Sequence, residues 1–278
     1  MSARDFLTSV GVIVTVMAIG ALIETVAPMF FAGVSKHVRR SANLWLTATS
    51  FVSNWLLASV AAVAALSLRP AGLMARLQWP LWVQVGTGIV ILDFSVGYVS
   101  HRLMHAWPAM WRFHRVHHSD DFVDVTTTYR THPVETVWRF LFAIVPVWVL
   151  GLPAEAVVVQ RLLQATNGVI EHANIRVWPA LDRVLSLLWV TPNVHKIHHS
   201  REISETNSNY ANLLTIYDRV LGTYTSSDRA RSVVYGLVDA EPLAAGSYPT
   251  LLTRPFQPAD RAGDAPDTKV RIGVTAGR

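Results

Sequence analysis

The chain has no cysteine among its 278 residues. That absence excludes disulfides, thiolate-ligated haem, cysteine-bound iron–sulfur clusters and cysteine-containing zinc sites, so any metal bound here must be held by nitrogen and oxygen. Charge is also scarce: Asp, Glu, Lys and Arg make up 15% of the residues against 51% apolar ones, and the mean hydropathy is +0.31. An ordinary soluble domain carries more charge than this. The net charge of +5 does not point to nucleic acid, because the basic residues are scattered among apolar runs rather than gathered on one face. Cations flanking membrane spans fit that pattern better. Missing too are a Gly-rich dinucleotide fingerprint and any extension able to house a haem carrier domain.

Long apolar runs are present instead. Residues 6–31 contain a single charge, Glu24, and residues 44–68 contain none; each is long enough for a hydrocarbon core of ~30 Å. The first run is too long, and Arg4 too closely offset by Asp5, for a cleaved signal peptide, so it reads as a retained span. Residues 80–100 form a third run, interrupted by Asp93. Residues 136–151 and 154–172 form a further pair, separated by Gly151-Leu152-Pro153, which favours a sharp reversal. The expected fold is all-α: an integral-membrane helical bundle of four to five spans with a cytoplasmic histidine-rich helical cap. Residues 1–79 read as a transmembrane hairpin, 80–225 as the catalytic domain and 226–278 as a C-terminal segment, disordered from about residue 257 by its Gly, Ala, Asp, Pro and Arg content.

Ten of the eleven histidines lie between His101 and His199. They form His101-x3-His105, His114-x2-His117-His118 and His195-x2-His198-His199, with His132 and His172 alone. On a helix, residues four apart share a face, so His101 and His105 can point at one site, with Asp93 and Gly97 continuing the stripe. His117 and His118 point in different directions and can serve two separate ions. The second cluster recurs in the third with a basic residue, a β-branched residue and a serine in the same places, a duplication that packing does not explain. If five runs cross once each, 32–43, 101–135 and 173–278 share one membrane face, and Lys36, Arg39, Arg40, Arg102, Arg112 and Arg115 place it in the cytoplasm. His37 belongs to a basic loop and reads as a surface residue.

The motifs resemble the fatty acid hydroxylase/sterol desaturase superfamily of integral-membrane non-haem iron enzymes. The resemblance rests on residues 93–118 (DFSVGYVSHRLMHAWPAMWRFHRVHH), Thr131 to Glu135, Glu171 to Asn174, and Thr206 to Tyr224. It implies two iron ions, with zinc an alternative occupant, held by His101, His105, His114, His117, His118, His195, His198 and His199, while His132 and His172 match intervening histidines that complete the coordination. It implies O2-dependent hydroxylation or desaturation of a lipid C–H bond in a bacterial inner membrane. Electrons would come from a separate donor, a ferredoxin or a cytochrome and its reductase. Asp93, Asp124, Glu135, Glu171, Asn174, Asn193, Asn209 and Asp218 are polar residues near the boxes and candidates to orient the imidazoles. A zinc-dependent membrane hydrolase on the same scaffold, and a membrane metal-binding or transport protein, stay open as alternatives; transport would favour ligands spread through the depth of the spans.

Overall fold

In the computed structural model, residues 3–31, 36–67, 72–237 and 246–257 are described. The helices in chain order are α1 (Ala3–Val26), α2 (Lys36–Ser67), α3 (Leu73–Leu77), α4 (Leu81–Leu92), a π-helical turn (Asp93–Val99), α5 (Ser100–Ala106), α6 (Pro108–His118), α7 (Pro133–Leu150), α8 (Ala154–His172), α9 (Pro179–Leu185), α10 (Pro192–His198), α11 (Ile203–Thr206), α12 (Ile216–Val220) and α13 (Tyr248–Thr253). Short 3-10 turns cover Val125–Tyr129, Ser227–Ser232 and Arg254–Phe256. Among the described residues there is no β-sheet, only three isolated bridges. The expected disordered tail lies outside the described residues.

Among the described residues, three helices are long and apolar enough to cross a membrane: Phe6–Val26, Leu81–Ala106 and Pro133–Leu150. The other two expected spans are helical within α2 and α8. Local chemistry sets where these helices stop. Pro108 and Pro133 stand at the first turns of α6 and α7, where a missing N–H costs nothing. Gly151 ends α7 at φ 67, a left-handed turn that glycine adopts freely, and a Cβ there would stand 2.8 Å from the Gly72 α-carbon. Gly88 lets α4 close on α8, since its Cβ would meet the Ala156 side chain at 2.6 Å.

Five helix ends meet on one side of the bundle. The C-terminal end of α1 is fixed there by Glu24, which accepts hydrogen bonds from Val125 N (2.9 Å) and Asn174 N (2.7 Å). The N-terminal end of α2 is fixed by Arg39, which is buried and pairs with Asp120 (3.1 Å) and with Asp124, while also donating to the Phe122 carbonyl (2.7 Å). Burial alone would raise the Asp124 carboxyl, but the guanidinium and hydrogen bonds hold it below its ordinary range. Arg130 extends the network to Asn43 (2.9 Å) and Ser119 (3.0 Å). The remaining ends belong to α5, α7 and α8, and α6, α10 and the segments after them cap this side over a small core of Val123, Ile197, Ala230, Val233 and Tyr235.

Removing one partner of a buried ion pair leaves the other charge uncompensated, at a cost of about 3–5 kcal/mol. Arg39→Met is therefore expected to lower the thermal unfolding midpoint of detergent-purified protein markedly; a midpoint equal to that of the wild type would show that Asp120 and Asp124 are neutral or solvated.

Candidate metal centre

Nine of the ten clustered histidines converge into two adjoining sets, all buried. His101, His105, His114, His118 and His198 form one, and His117, His172, His195 and His199 the other; within each set the ring nitrogens lie within 4.8 Å of one another. The doubled motif is shared crosswise. The i, i+4 pairs His114/His118 and His195/His199 each stay on one helix face and in one set, while the histidine between them, His117 or His198, reaches into the other set. Helices α5, α6, α8 and α10 thus all contribute, and no set belongs to one helix.

The hydrogen bonds on the far side of each ring assign the tautomers. A carbonyl oxygen can only accept, so His101 Nδ1 donates to Tyr210 O (2.7 Å), His198 Nδ1 to Ser208 O (2.7 Å) and His172 Nδ1 to Gly168 O (2.6 Å). His114 Nδ1 donates to the Glu135 carboxylate at 2.7 Å. A neutral imidazole has one N–H, so the opposite nitrogens, Nε2, carry bare lone pairs. Yet His101 Nε2 stands 3.0 Å from His114 Nε2 and 3.1 Å from His198 Nε2. In the second set His172 Nε2 faces the Nε2 atoms of His117, His195 and His199 at 3.2, 3.1 and 3.2 Å.

Lone pairs that face each other repel, and no arrangement of single protons satisfies three of them around one point. Protonation is no remedy: burial holds the α6 and α10 imidazoles far below their ordinary range, with His198 pushed down to about 3. His105 Nε2 and both nitrogens of His118 are buried with no hydrogen-bond partner, where a buried polar group ordinarily has one. A cation between the rings relieves the repulsion without protonation and gives a partner to His105 Nε2 and to one nitrogen of His118, and two imidazoles adjacent on one ion at about 2.1 Å stand about 3 Å apart. The residues fit a pair of nitrogen-ligated metal ions.

The other expected residues fall into place unevenly. His132 joins neither set: its Nδ1 caps α7 by accepting from Val134 N (3.2 Å), and its Nε2 donates to Leu252 O (3.2 Å). The expectation that it completes a coordination sphere is corrected by that capping role. Glu135 grips His114 directly, and Glu171 lies 3.8 Å from His195 Nε2 and 3.9 Å from His172 Nδ1, oriented by Asn212 Nδ2 at 2.7 Å. Asp218 acts at one remove, accepting from Tyr210 N and Ala211 N (both 2.9 Å) and so fixing the strand of chain whose carbonyl holds His101. Asp93 accepts from Leu214 N (3.2 Å), and its Oδ1 fills the space a Gly97 Cβ would need (2.7 Å), so the expected stripe persists through the π-helical turn. Asp124, Asn174, Asn193 and Asn209 hold backbone or arginine partners, not imidazoles. Asn207, whose Oδ1 lies 3.3 Å from His105 Nδ1, and Asn212 were not singled out from the sequence, although both sit in the asparagine-rich segment after the last box.

Residues 85–223 match the family model described as fatty acid hydroxylase. An ornithine lipid hydroxylase, OlsE, of Rhizobium tropici is 34% identical over 181 residues, covering 64% of this chain and 52% of that protein. The alkylglycerol monooxygenase of Xenopus tropicalis is 27% identical over 184 residues (64% of this chain, 35% of that one), and that of Homo sapiens 28% over 160 (56% and 33%). The match thus spans about half or less of the length of these curated relatives. No solved structure matches the chain.

Protein purified under metal-replete, anaerobic conditions is expected to carry two first-row metal ions per chain by inductively coupled plasma mass spectrometry. His118→Ala should reduce that content, whereas His132→Ala should keep both ions; loss of an ion in His132→Ala would restore that residue to the ligand set.

Proposed function

The chain belongs to the fatty acid hydroxylase family, and from that membership we propose that it is an integral-membrane di-iron oxygenase that hydroxylates a C–H bond of a lipid. The supporting observation is the convergence of imidazole nitrogens in two adjoining sets at one end of an apolar bundle, with three bare lone pairs facing one another in the larger set. Iron(II) held by neutral nitrogen ligands supplies the reduction of dioxygen and an oxidant strong enough to take hydrogen from an unactivated C–H bond. The balance is R–H + O2 + two electrons + two protons giving R–OH + H2O. The electrons come from a separate protein, a ferredoxin or a cytochrome and its reductase. Relatives named as hydroxylases and monooxygenases favour hydroxylation over desaturation.

The chain's own residues do the holding. Glu135 and the carbonyls of Gly168, Ser208 and Tyr210 fix four rings with their Nε2 lone pairs inward, which orients each ligand and makes it more basic. Glu171, beside His195 Nε2, holds a carboxylate at the edge of the four-histidine set, where it can take up or release a proton. Burial of both sets excludes bulk water from the reacting carbon. An alkyl chain offers almost no polar handle, so placing one carbon beside the ions is a matter of shape, and a membrane position lets the chain arrive from the bilayer. In this reading α2 and α8 cross along with the three apolar helices, residues 80–225 form the catalytic unit, and the exposed Arg40 and Arg112 hold the histidine end at the cytoplasmic face of a bacterial inner membrane.

The test is conversion of bacterial membrane lipids by reconstituted protein under 18O2 with a ferredoxin and its reductase. A product carrying one 18O atom is expected from the wild type, none from His117→Ala or His198→Ala despite normal membrane insertion, and wild-type yield from His37→Ala, whose side chain is exposed on α2. Full activity in His117→Ala, or stoichiometric zinc with no reducible iron in the purified protein, would overturn the assignment; the latter outcome would favour a hydrolase.

A further inference from the structure

Helix α9 is inside out for a helix in water. Its inward residues are polar: Asp182 is buried and accepts from Thr191 Oγ1 and Ser227 Oγ, both at 2.5 Å, and Ser186 is buried one turn on. Its outward residues, apart from the exposed Arg183, are apolar. Leu181, Val184, Leu185 and Leu188, at helical spacing, are 50%, 66%, 44% and 67% exposed, and Trp178 is 74% exposed. The stripe continues across a contact. Thr215 N donates to Leu188 O (3.1 Å), Val190 N to Leu213 O (2.9 Å) and Arg219 Nη2 to Ser186 O (2.8 Å), so α12 is tied to the end of α9, and there Ile216, Val220 and Leu221 are exposed as well. A continuous apolar patch of this kind on a protein surface marks an interaction site.

Hydrogen bonds to the bundle fix its depth. Tyr217 OH donates to Val90 O (3.0 Å), Leu214 N to Asp93 Oδ2 (3.2 Å) and Trp189 Nε1 to Asn167 Oδ1 (2.6 Å). Val90 precedes His101 by eleven residues, about 16 Å along a helix, and it belongs to the apolar helix Leu81–Ala106. The end of the span Phe6–Val26 stands higher, level with Asn174, as the Glu24 hydrogen bond to Asn174 N shows. Just past that level, Arg176 N bonds Ala27 O, and the Arg176 side chain is exposed where lipid headgroups would lie.

We propose that residues 178–189 and 213–221 form a knuckle immersed in the lipid leaflet on the histidine side, its outward leucines and valines packed against acyl chains. The occupant follows from three observations together: the buried residues are polar and the exposed ones, Arg183 excepted, apolar, the patch is continuous with the surface of a membrane-crossing helix, and its tethers lie below the level where a neighbouring span ends. The region between Asn174 and Tyr224 is then only partly a cap in water. This inference rests on the fold and on membrane insertion, and it stands whether or not the centre oxidises lipid.

The absence of cysteine makes the test direct. Leu188→Cys, Val220→Cys and, as a reference on exposed polar surface, Ser204→Cys are nitroxide-labelled one at a time in the full chain, reconstituted in phosphatidylethanolamine/phosphatidylglycerol vesicles, and probed for collision with oxygen and with a water-soluble nickel chelate. The labels at 188 and 220 are expected to collide with oxygen several-fold more, and with nickel several-fold less, than the label at 204. Nickel collision equal to that at 204 would place the knuckle in water and overturn the proposal. Low collision with both reagents and an immobilised spectrum would mean that a second protein surface covers it, which also overturns it. Retained metal content in each labelled protein confirms that the variants are folded.

Discussion

Unprotonated imidazole lone pairs of His101, His114 and His198 forced to face one another at about 3 Å are the constraint around which this molecule is arranged. Such a cluster is unfavourable by itself: the rings are buried, the outer nitrogens of His101, His114, His172 and His198 are committed to carbonyls or a carboxylate, and burial opposes the protonation that would relieve the repulsion. Cations between the rings would turn the arrangement from a cost into a binding site, and metal binding would then couple to folding of the histidine end. The two sets differ, five histidines in one and four in the other, with Glu171 at the edge of the smaller. An ion in the four-histidine set would have one imidazole fewer around it.

The fold concentrates its polar residues where the apolar bundle ends. Arg39, Asp120, Asp124, Arg130 and Asn43 bind α2 to the segment after the first double-histidine motif, and Glu24 binds α1 to both Val125 and Asn174. These buried contacts hold α6, α8 and α10 in a fixed relation, which the crosswise sharing of histidines requires, since a shift of α6 or α10 would open both sets at once. On the flank of the same bundle the polarity reverses: the knuckle of α9 and α12 buries Asp182 and Ser186 and exposes leucine and valine. Both patterns follow from one solvent boundary crossing the protein below its histidines rather than beneath the whole cap.

Much of this was legible in the sequence. The five apolar runs predicted the long helices, and the i, i+4 spacing of His101/His105, His114/His118 and His195/His199 predicted shared faces, because both depend only on helix geometry. The different directions of His117 and His118 also predicted that they serve separate sets, as they do; which histidines of the other helices each one joins was not legible, since it depends on the angle between α6 and α10. His132 reads like a ligand in the sequence because it is a histidine beside a span, whereas its position before Pro133 and three residues before Glu135 makes it a helix cap. The carbonyls of Gly168, Ser208 and Tyr210 carry no side-chain signature at all. Proximity in sequence likewise misassigned Asp124 and Asn174, whose neighbours in space are an arginine and a loop. The outward face of α9 looks in sequence like an ordinary amphipathic stripe, and only the structure shows that the buried side is the polar one.

Anomalous X-ray diffraction collected across the iron and zinc absorption edges from crystals of metal-loaded protein tests the account most directly. Two peaks are expected in each chain, one enclosed by His101, His105, His114, His118 and His198 and one by His117, His172, His195 and His199, with signal at the iron edge. Empty density between the rings, or a single peak elsewhere in the chain, would contradict it.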